Sequence, residues 1–248
     1  MFQKVILADA YAAMRDTRGH DCIITDPPYT AHVQANLLSS TINGSVKKVA
    51  AGFAPLADYD WVAGAVANTP RWSLFFCALE QLGEYRSADV EHHIRSGIYC
   101  KMRAMPQLSG DRPGARCEGV AIFHGDAKKK WNGKGTHAYW LAMPEHRKET
   151  EHPTAKPTLL AMRLVELFSD PGETVFDPFA GTGAIGRACA LLGRNYIGCD
   201  NHEPYVEKAN YRIEEALSKR KEWLTRLELY KQKFPTPPAE VEEEGSTK

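Results

Sequence analysis

The 248-residue sequence has no excess of charge of either sign, since 31 lysines and arginines stand against 31 aspartates and glutamates. That balance excludes a chain coated in basic residues for indiscriminate nucleic-acid binding, but a sum is silent about distribution. No apolar run approaches the about 18 residues of a membrane helix, and the opening MFQKVILADA lacks the basic-then-apolar layout of an export signal. No membrane partner and a cytoplasmic location are therefore expected. The six cysteines (Cys22, Cys77, Cys100, Cys117, Cys189 and Cys199) include no CxxC pair. Neither a zinc knuckle nor a disulfide framework is signalled, and reduced, mostly buried thiols are expected. The histidines show no metal-ligand spacing, since His92 and His93 are adjacent and the others are scattered. There is no internal repeat. With 43% hydrophobic residues, one α/β domain with insertions is the first expectation, spanning 1–234.

Divided along the chain, the charge is uneven: −2 over residues 1–100, +5 over 101–156, zero over 157–234 and −3 over 235–248. The last segment, PTPPAEVEEEGSTK, has almost nothing to bury and reads as a disordered acidic tail. The central excess gathers in Lys128, Lys129, Lys130 and Lys134 around Trp131, beside an Asn-Gly pair that signals a hairpin.

Four short apolar runs share one ending: VILA stops at Asp9, CIIT at Asp26, TVF at Asp177 and YIGC at Asp200. Helices are expected after three of them, at Tyr11–Thr17, Ala184–Leu192 and Tyr205–Leu229. Strand-then-helix alternation means a parallel sheet covered on both faces, with ligands at its carboxyl edge. All four aspartates are expected there. Further strands are expected at Trp72–Leu79, Ile98–Arg103 and Gly119–His124, and helices at Tyr59–Asn68 and Ser87–Ser96. The stretch 30–57 reads as a loop or a poorly fixed helix, and 104–117 as a loop. On the long helix, Ile213, Leu217, Leu224 and Leu227 fall on one face, most simply a packing stripe.

In TVFDPFAGTGAIG (174–186) a strand runs into a glycine turn and then a helix. Gly181 and Gly183 let a ligand approach the backbone, and free helix amides point to the same place. Read as GxGxxG with Asp200 beyond, the segment also fits a nicotinamide-binding turn. A pyrophosphate would be repelled by Asp177, whereas S-adenosylmethionine brings a sulfonium, an ammonium, hydroxyls and an adenine amine, all suited to carboxylates. In the second constellation, Asp26-Pro27-Pro28-Tyr29, the prolines hold the backbone extended and fix the directions of the Asp26 carboxylate and the Pro27 carbonyl. Two acceptors gripping an exocyclic base amine localise its lone pair in the transition state. Tyr29 offers a flat face to a base that has left the duplex. His124, ending an apolar strand, reads as a hydrogen-bonded structural residue.

TDPPYT (25–30), HPTAKP (152–157) and DPFAGTGAIG (177–186), in that order after VILADAYAAM, resemble the amino-group DNA methyltransferases of the beta order. The resemblance implies a Rossmann-like S-adenosylmethionine-dependent fold with a mostly parallel seven-stranded sheet. It makes Asp26, Pro27, Pro28 and Tyr29 catalytic. Asp9, Ala10, Asp26, Asp177, Phe179, Ala180, Gly181, Thr182, Gly183 and Asp200 become cofactor residues, with Lys156 and Thr158 near the methionine part and Lys156 facing its carboxylate. An aspartate at the first catalytic position is typical of adenine-N6 members, with cytosine N4 left open. Target recognition in double-stranded DNA is then expected from 104–150, where Lys128, Lys129, Lys130, Trp131 and Lys134 would meet phosphates and 30–57 would close over the flipped base. Arg103, Arg112 and Arg116 are candidates for reaching guanines. The resemblance also implies restriction-modification as the setting and homodimers as a frequent state. The rivals are RNA adenine-N6 methylation, a non-catalytic nucleic-acid-binding regulator, and a nicotinamide oxidoreductase, which leaves DPPY without a purpose.

Overall fold

In the computed structural model, residues 2–32, 39–42, 45–48, 54–104, 113–145 and 155–233 are described. The acidic tail, Arg112, nearly half of 30–57 and the first three residues of HPTAKP lie outside them. The strands are β1 (Gln3–Leu7), β2 (Cys22–Thr25), β3 (Ser39–Ile42), β4 (Ser45–Lys48), β5 (Trp72–Cys77), β6 (His93–Lys101), β7 (Cys117–His124), β8 (Tyr139–Ala142), β9 (Thr174–Asp177) and β10 (Asn195–Asp200). The helices are α1 (Ala10–Asp16), α2 (Trp61–Ala67), α3 (Leu82–Ala88), α4 (Thr158–Phe168), α5 (Ala184–Leu192) and α6 (Glu203–Lys233).

Eight strands form one sheet in the order β1-β10-β9-β2-β5-β7-β6-β8, and only β7 runs antiparallel to the rest. The expected seven strands become eight, because the four-residue YWLA segment of β8 pairs beside β6. Successive strand residues alternate between two cores. Ile24, Leu74, Ile122 and Val175 pack under α4, α5 and α6, while Ile23, Phe75, Phe123 and Phe176 pack with Met14, Val62 and Tyr85 of α1, α2 and α3. The edge strand β1 is shielded on its backbone by Asn210 of α6, whose amide both donates to and accepts from Val5 at 2.9 Å. Among the described residues no helix is long and apolar enough to cross a membrane.

Several local expectations are corrected. The helix expected over Ser87–Ser96 stops at Ala88, and the Asp89 carboxylate accepts from the His92 backbone amide before β6 begins. Within 30–57, β3 and β4 form an antiparallel pair instead of a helix. On α6 the buried stripe is Ala209, Ile213 and Ala216, whereas Leu217 is exposed. Cys100 and Cys117, directly opposed across β6 and β7, are disulfide-bonded, which the missing CxxC pattern gave no reason to expect. The other four cysteines are free and buried.

Candidate active site

Four adjacent strands, in the order β1, β10, β9, β2, end at Asp9, Asp200, Asp177 and Asp26. From β9 the chain moves to β10 on one side, while β2 neighbours β5 on the other, so the crevice between β9 and β2 is the topological switch point. The glycine turn leaves one side of it and DPPY the other. Thr25 joins them: its hydroxyl donates to the Asp177 carboxylate at 2.6 Å and accepts from the Phe179 amide at 3.2 Å.

The aspartates differ in what they can do. Asp177 is 2% exposed and its carboxylate is held by Thr25 and, at 3.2 Å, by the Tyr196 hydroxyl. Its side chain is a buried tie between strands. Burial pushes its carboxyl up to about 7 in spite of these hydrogen bonds. The folded state therefore keeps a proton that the unfolded chain loses near 4. Asp177 contributes stability in acid and loses it as pH rises towards 7, by an amount on the order of a few kcal/mol. Asp177→Asn, which still accepts from Thr25 and can donate to Tyr196, is expected to gain stability relative to wild type between pH 5 and pH 8. Urea unfolding at both pH values checks this, and a difference that does not change with pH would contradict it.

Asp200 is half-buried, and its two oxygens accept from the Gly181 and His202 amides, each at 2.9 Å. Burial raises its carboxyl against those two bonds. Asp9 caps α1 through the Ala12 amide at 2.9 Å and is exposed; Ala10, behind it, is buried. The Phe179 ring lies edge-on to Tyr11, at 6.0 Å between centroids, and near Trp61 at 6.2 Å, an aromatic wall spread too widely in sequence to be foreseen.

Ala180 and Thr182 are buried, and Arg212 of α6 donates to the Thr182 carbonyl at 2.8 Å. Arg212 also meets Glu145 at 2.7 Å, and Glu145 accepts from the Thr158 backbone amide at 2.7 Å. Glu145 and Arg212, unmarked by any motif, thus tie the start of α4 to the glycine turn. The Thr158 hydroxyl is buried with no hydrogen-bond partner among the described residues.

On the other side of the crevice, Lys156 is 8% exposed and its ammonium forms ion pairs with Asp26 and, at 3.1 Å, with Glu118 of β7. It lies 4.9 Å from the centre of the Phe76 ring. Lys101 of β6 binds Glu118 from the outside at 2.6 Å. Lys156 was expected to face a cofactor carboxylate; instead it is committed to two carboxylates of the chain, which lift its pKa against the effect of burial. Burial raises Asp26 above its ordinary value, with Lys156 opposing and Glu118 adding to the rise. Glu118 is pushed up by burial too, but Lys156 and Lys101 outweigh this and hold it at about 2. One oxygen of Asp26 faces Lys156, and the other, Oδ1, is buried and has no hydrogen-bond partner among the described residues. Pro27 is buried, Pro28 and Tyr29 are half-buried, and the Tyr29 hydroxyl hydrogen-bonds Glu118. Burial, then Glu118 and Asp26, keep that phenol neutral.

The lysine cluster is elsewhere. Because β7 is antiparallel, Trp72 at the start of β5 faces His124 at the end of β7, so the loop after His124 emerges at the amino edge of the parallel strands. Lys128, Lys129, Lys130 and Lys134 are therefore at the edge opposite Asp26. Lys130 pairs with Asp170 at 2.6 Å, and Trp131 packs against Trp72 and Phe168 instead of facing solvent. Asn132 forms no hairpin but donates to the carbonyls of Glu166 and Ser169 at the end of α4. Strand direction thus places this loop at the sheet edge away from Asp26. Arg103 and Arg116, flanking the ends of β6 and β7, are at the carboxyl edge. His124 is buried and hydrogen-bonded to the Gly125 carbonyl at 2.7 Å, as expected of a structural residue.

This arrangement has known counterparts. The type II methyltransferase M.BglI of Bacillus subtilis is 32% identical over 88 residues, 36% of this chain and 25% of that protein. M.HinfI of Haemophilus influenzae is 41% identical over 64 residues, 26% of this chain and 18% of that protein. The matches thus span a quarter or less of these curated relatives. Among solved structures, the M1.HpyAVI-SAM complex shares the fold at a TM-score of 0.66 and 24% identity, covering 86% of this chain and 99% of that one. A family model described as DNA methylase matches residues 84–211, just over half of the sequence. The chain belongs to this family of amino-group DNA methylases.

Proposed function

We propose that the protein transfers a methyl group from S-adenosylmethionine to N6 of an adenine flipped out of double-stranded DNA. The observation that carries this reading is the Asp26 carboxylate, with one oxygen on Lys156 and the other buried and, among the described residues, without a hydrogen-bond donor. An acceptor kept dry and unpaired costs free energy unless a donor arrives, and an exocyclic amine is such a donor.

The residues fit the cofactor. Around Gly181, at φ +49°, no described atom beyond the adjoining residues lies within 4 Å of where a side chain would begin, and the Thr158 hydroxyl is a buried group awaiting a partner. The glycine turn and Asp200 would hold the ribose, Asp9 beside Tyr11 and Phe179 the adenine end, and Thr158 the methionine end. When bound, S-adenosylmethionine supplies an electrophilic methyl group on a sulfonium. Asp26 Oδ1 and the Pro27 carbonyl grip the target amine and draw its lone pair towards that methyl. Asp26 need not take the proton first. The Tyr29 ring, tethered through its hydroxyl, offers its face to the base. Arg103 and Arg116, at the same sheet edge, are the candidates for DNA contact among the residues named from the sequence.

The aspartate at the first catalytic position favours adenine over cytosine. The test offers tritiated donor to duplex DNA and to RNA, followed by digestion and identification of the product base. N6-methyladenine in DNA is expected. Transfer to RNA alone would overturn the DNA substrate, and N4-methylcytosine would overturn the choice of base.

A further inference from the structure

We infer that Glu118 is a positioning residue for the catalytic pair: by sharing Lys156 with Asp26 and anchoring the Tyr29 hydroxyl, it leaves Asp26 one oxygen free for the target amine. This rests on the function proposed above.

A glutamate in CEGVAIFH, on a strand otherwise apolar and buried, needs a reason to be there. Its neighbours supply one. Lys101 Nζ lies 2.6 Å from Oε1 and Lys156 Nζ 3.1 Å from Oε2, and Tyr29 hydrogen-bonds the same carboxylate. The charges alternate as Asp26, Lys156, Glu118, Lys101, with the two inner groups buried and the two outer ones, Asp26 and Lys101, about a third exposed. Lys156 is therefore divided between two anions. If Glu118 lost its charge, the ammonium would belong to Asp26 alone and compete with the amine for both oxygens. The other ionisable groups around Glu118 are Tyr99 and Cys77, and Asp177 lies beyond Asp26. None of these is a cation, so among the described residues Lys156 and Lys101 supply the positive charge. Burial and Glu118 both raise Asp26, whereas Lys156 and Lys101 lower it.

The test follows the Asp26 carboxyl by carbon-13 NMR in the free chain, assigned with Asp26→Asn. Glu118→Gln is expected to move the Asp26 titration to lower pH, and Lys156→Met to higher pH. Lys101→Met, at the exposed end of the chain of charges, serves if Glu118→Gln does not fold, and is expected to shift the titration upward. In methyl transfer at a pH where Asp26 is ionised throughout, Glu118→Gln should lower kcat about tenfold with KM for the cofactor unchanged, and Glu118→Asp should recover part of it. An unmoved Asp26 titration in these variants would overturn the inference. If the wild type transfers no methyl group, the proposed function fails, while the NMR shifts still decide how the charge is shared.

Discussion

Asp26→Asn is expected to lower the single-turnover rate of methyl transfer by about 10³-fold or more while cofactor affinity stays within a few-fold of wild type. The asparagine is isosteric, so the prolines and the turn have no cause to move. Its polarity is what changes. Lys156, still buried and charged, takes the amide oxygen, because an ammonium cannot sit against an NH2 group. The NH2 is then forced into the place of Oδ1, where an acceptor is needed. A donor facing a donor is worse than a missing bond, so the loss should exceed that of simple truncation. The wild-type pH profile carries the same logic. Asp26 must be ionised to accept, and burial raises its pKa, so activity should be lost as pH falls through a value above that of an ordinary aspartate. Rapid-quench measurement with labelled donor, beside calorimetry of cofactor binding, checks the variant. Retention of a tenth of the rate would remove Asp26 from the chemistry.

What could be read from the sequence was local, and what could not depended on pairs far apart in it. VILA, CIIT, TVF and YIGC announce strands by their apolar character, and the glycine turn announces its helix, so the Asp9, Asp26, Asp177 and Asp200 edge was legible. The inequality of the four aspartates was not. Asp177 is silenced by Thr25, 152 residues before it, and by Tyr196 on the next strand. Charge counting treats a buried carboxyl near pKa 7 like an exposed one. Strand direction was equally hidden. Nothing in CEGVAIFH says that it runs against its neighbours, and that one reversal carries the lysine loop to the far edge of the sheet. Lys156 was found by its motif, but its ion pair with Glu118 was not, because Glu118 is marked by no motif and meets it only through folding. Short elements such as YWLA escape for a different reason, since four residues hold too little periodicity to register.

The two glycines of the turn are expected to fail in different ways when each is replaced by alanine. Both lie at positive φ, +49° for Gly181 and +77° for Gly183, so each substitution costs about 1–2 kcal/mol in backbone strain. Beyond that they diverge. A Cβ at Gly183 would lie 2.8 Å from the Ala209 Cβ and 2.9 Å from its Cα, where α6 backbone has no room to yield. Overpacking of this kind costs about another 1–3 kcal/mol, so Gly183→Ala should lose stability broadly. At Gly181 the new methyl meets no described atom within 4 Å beyond the adjoining residues. It would project into space that the proposed cofactor is expected to fill, beside the Asp200 carboxylate that holds the turn. Gly181→Ala should therefore stay folded with only the strain penalty, yet bind S-adenosylmethionine at least about tenfold more weakly. Each tenfold corresponds to about 1.4 kcal/mol, well within the cost of one displaced contact. Thermal unfolding without ligand and calorimetric titration with it separate the two cases. Wild-type cofactor affinity in Gly181→Ala would mean that the open space beside this turn is not where the cofactor lies. Equal stability losses in the two variants would mean that Ala209 does not press on the turn as its distance implies.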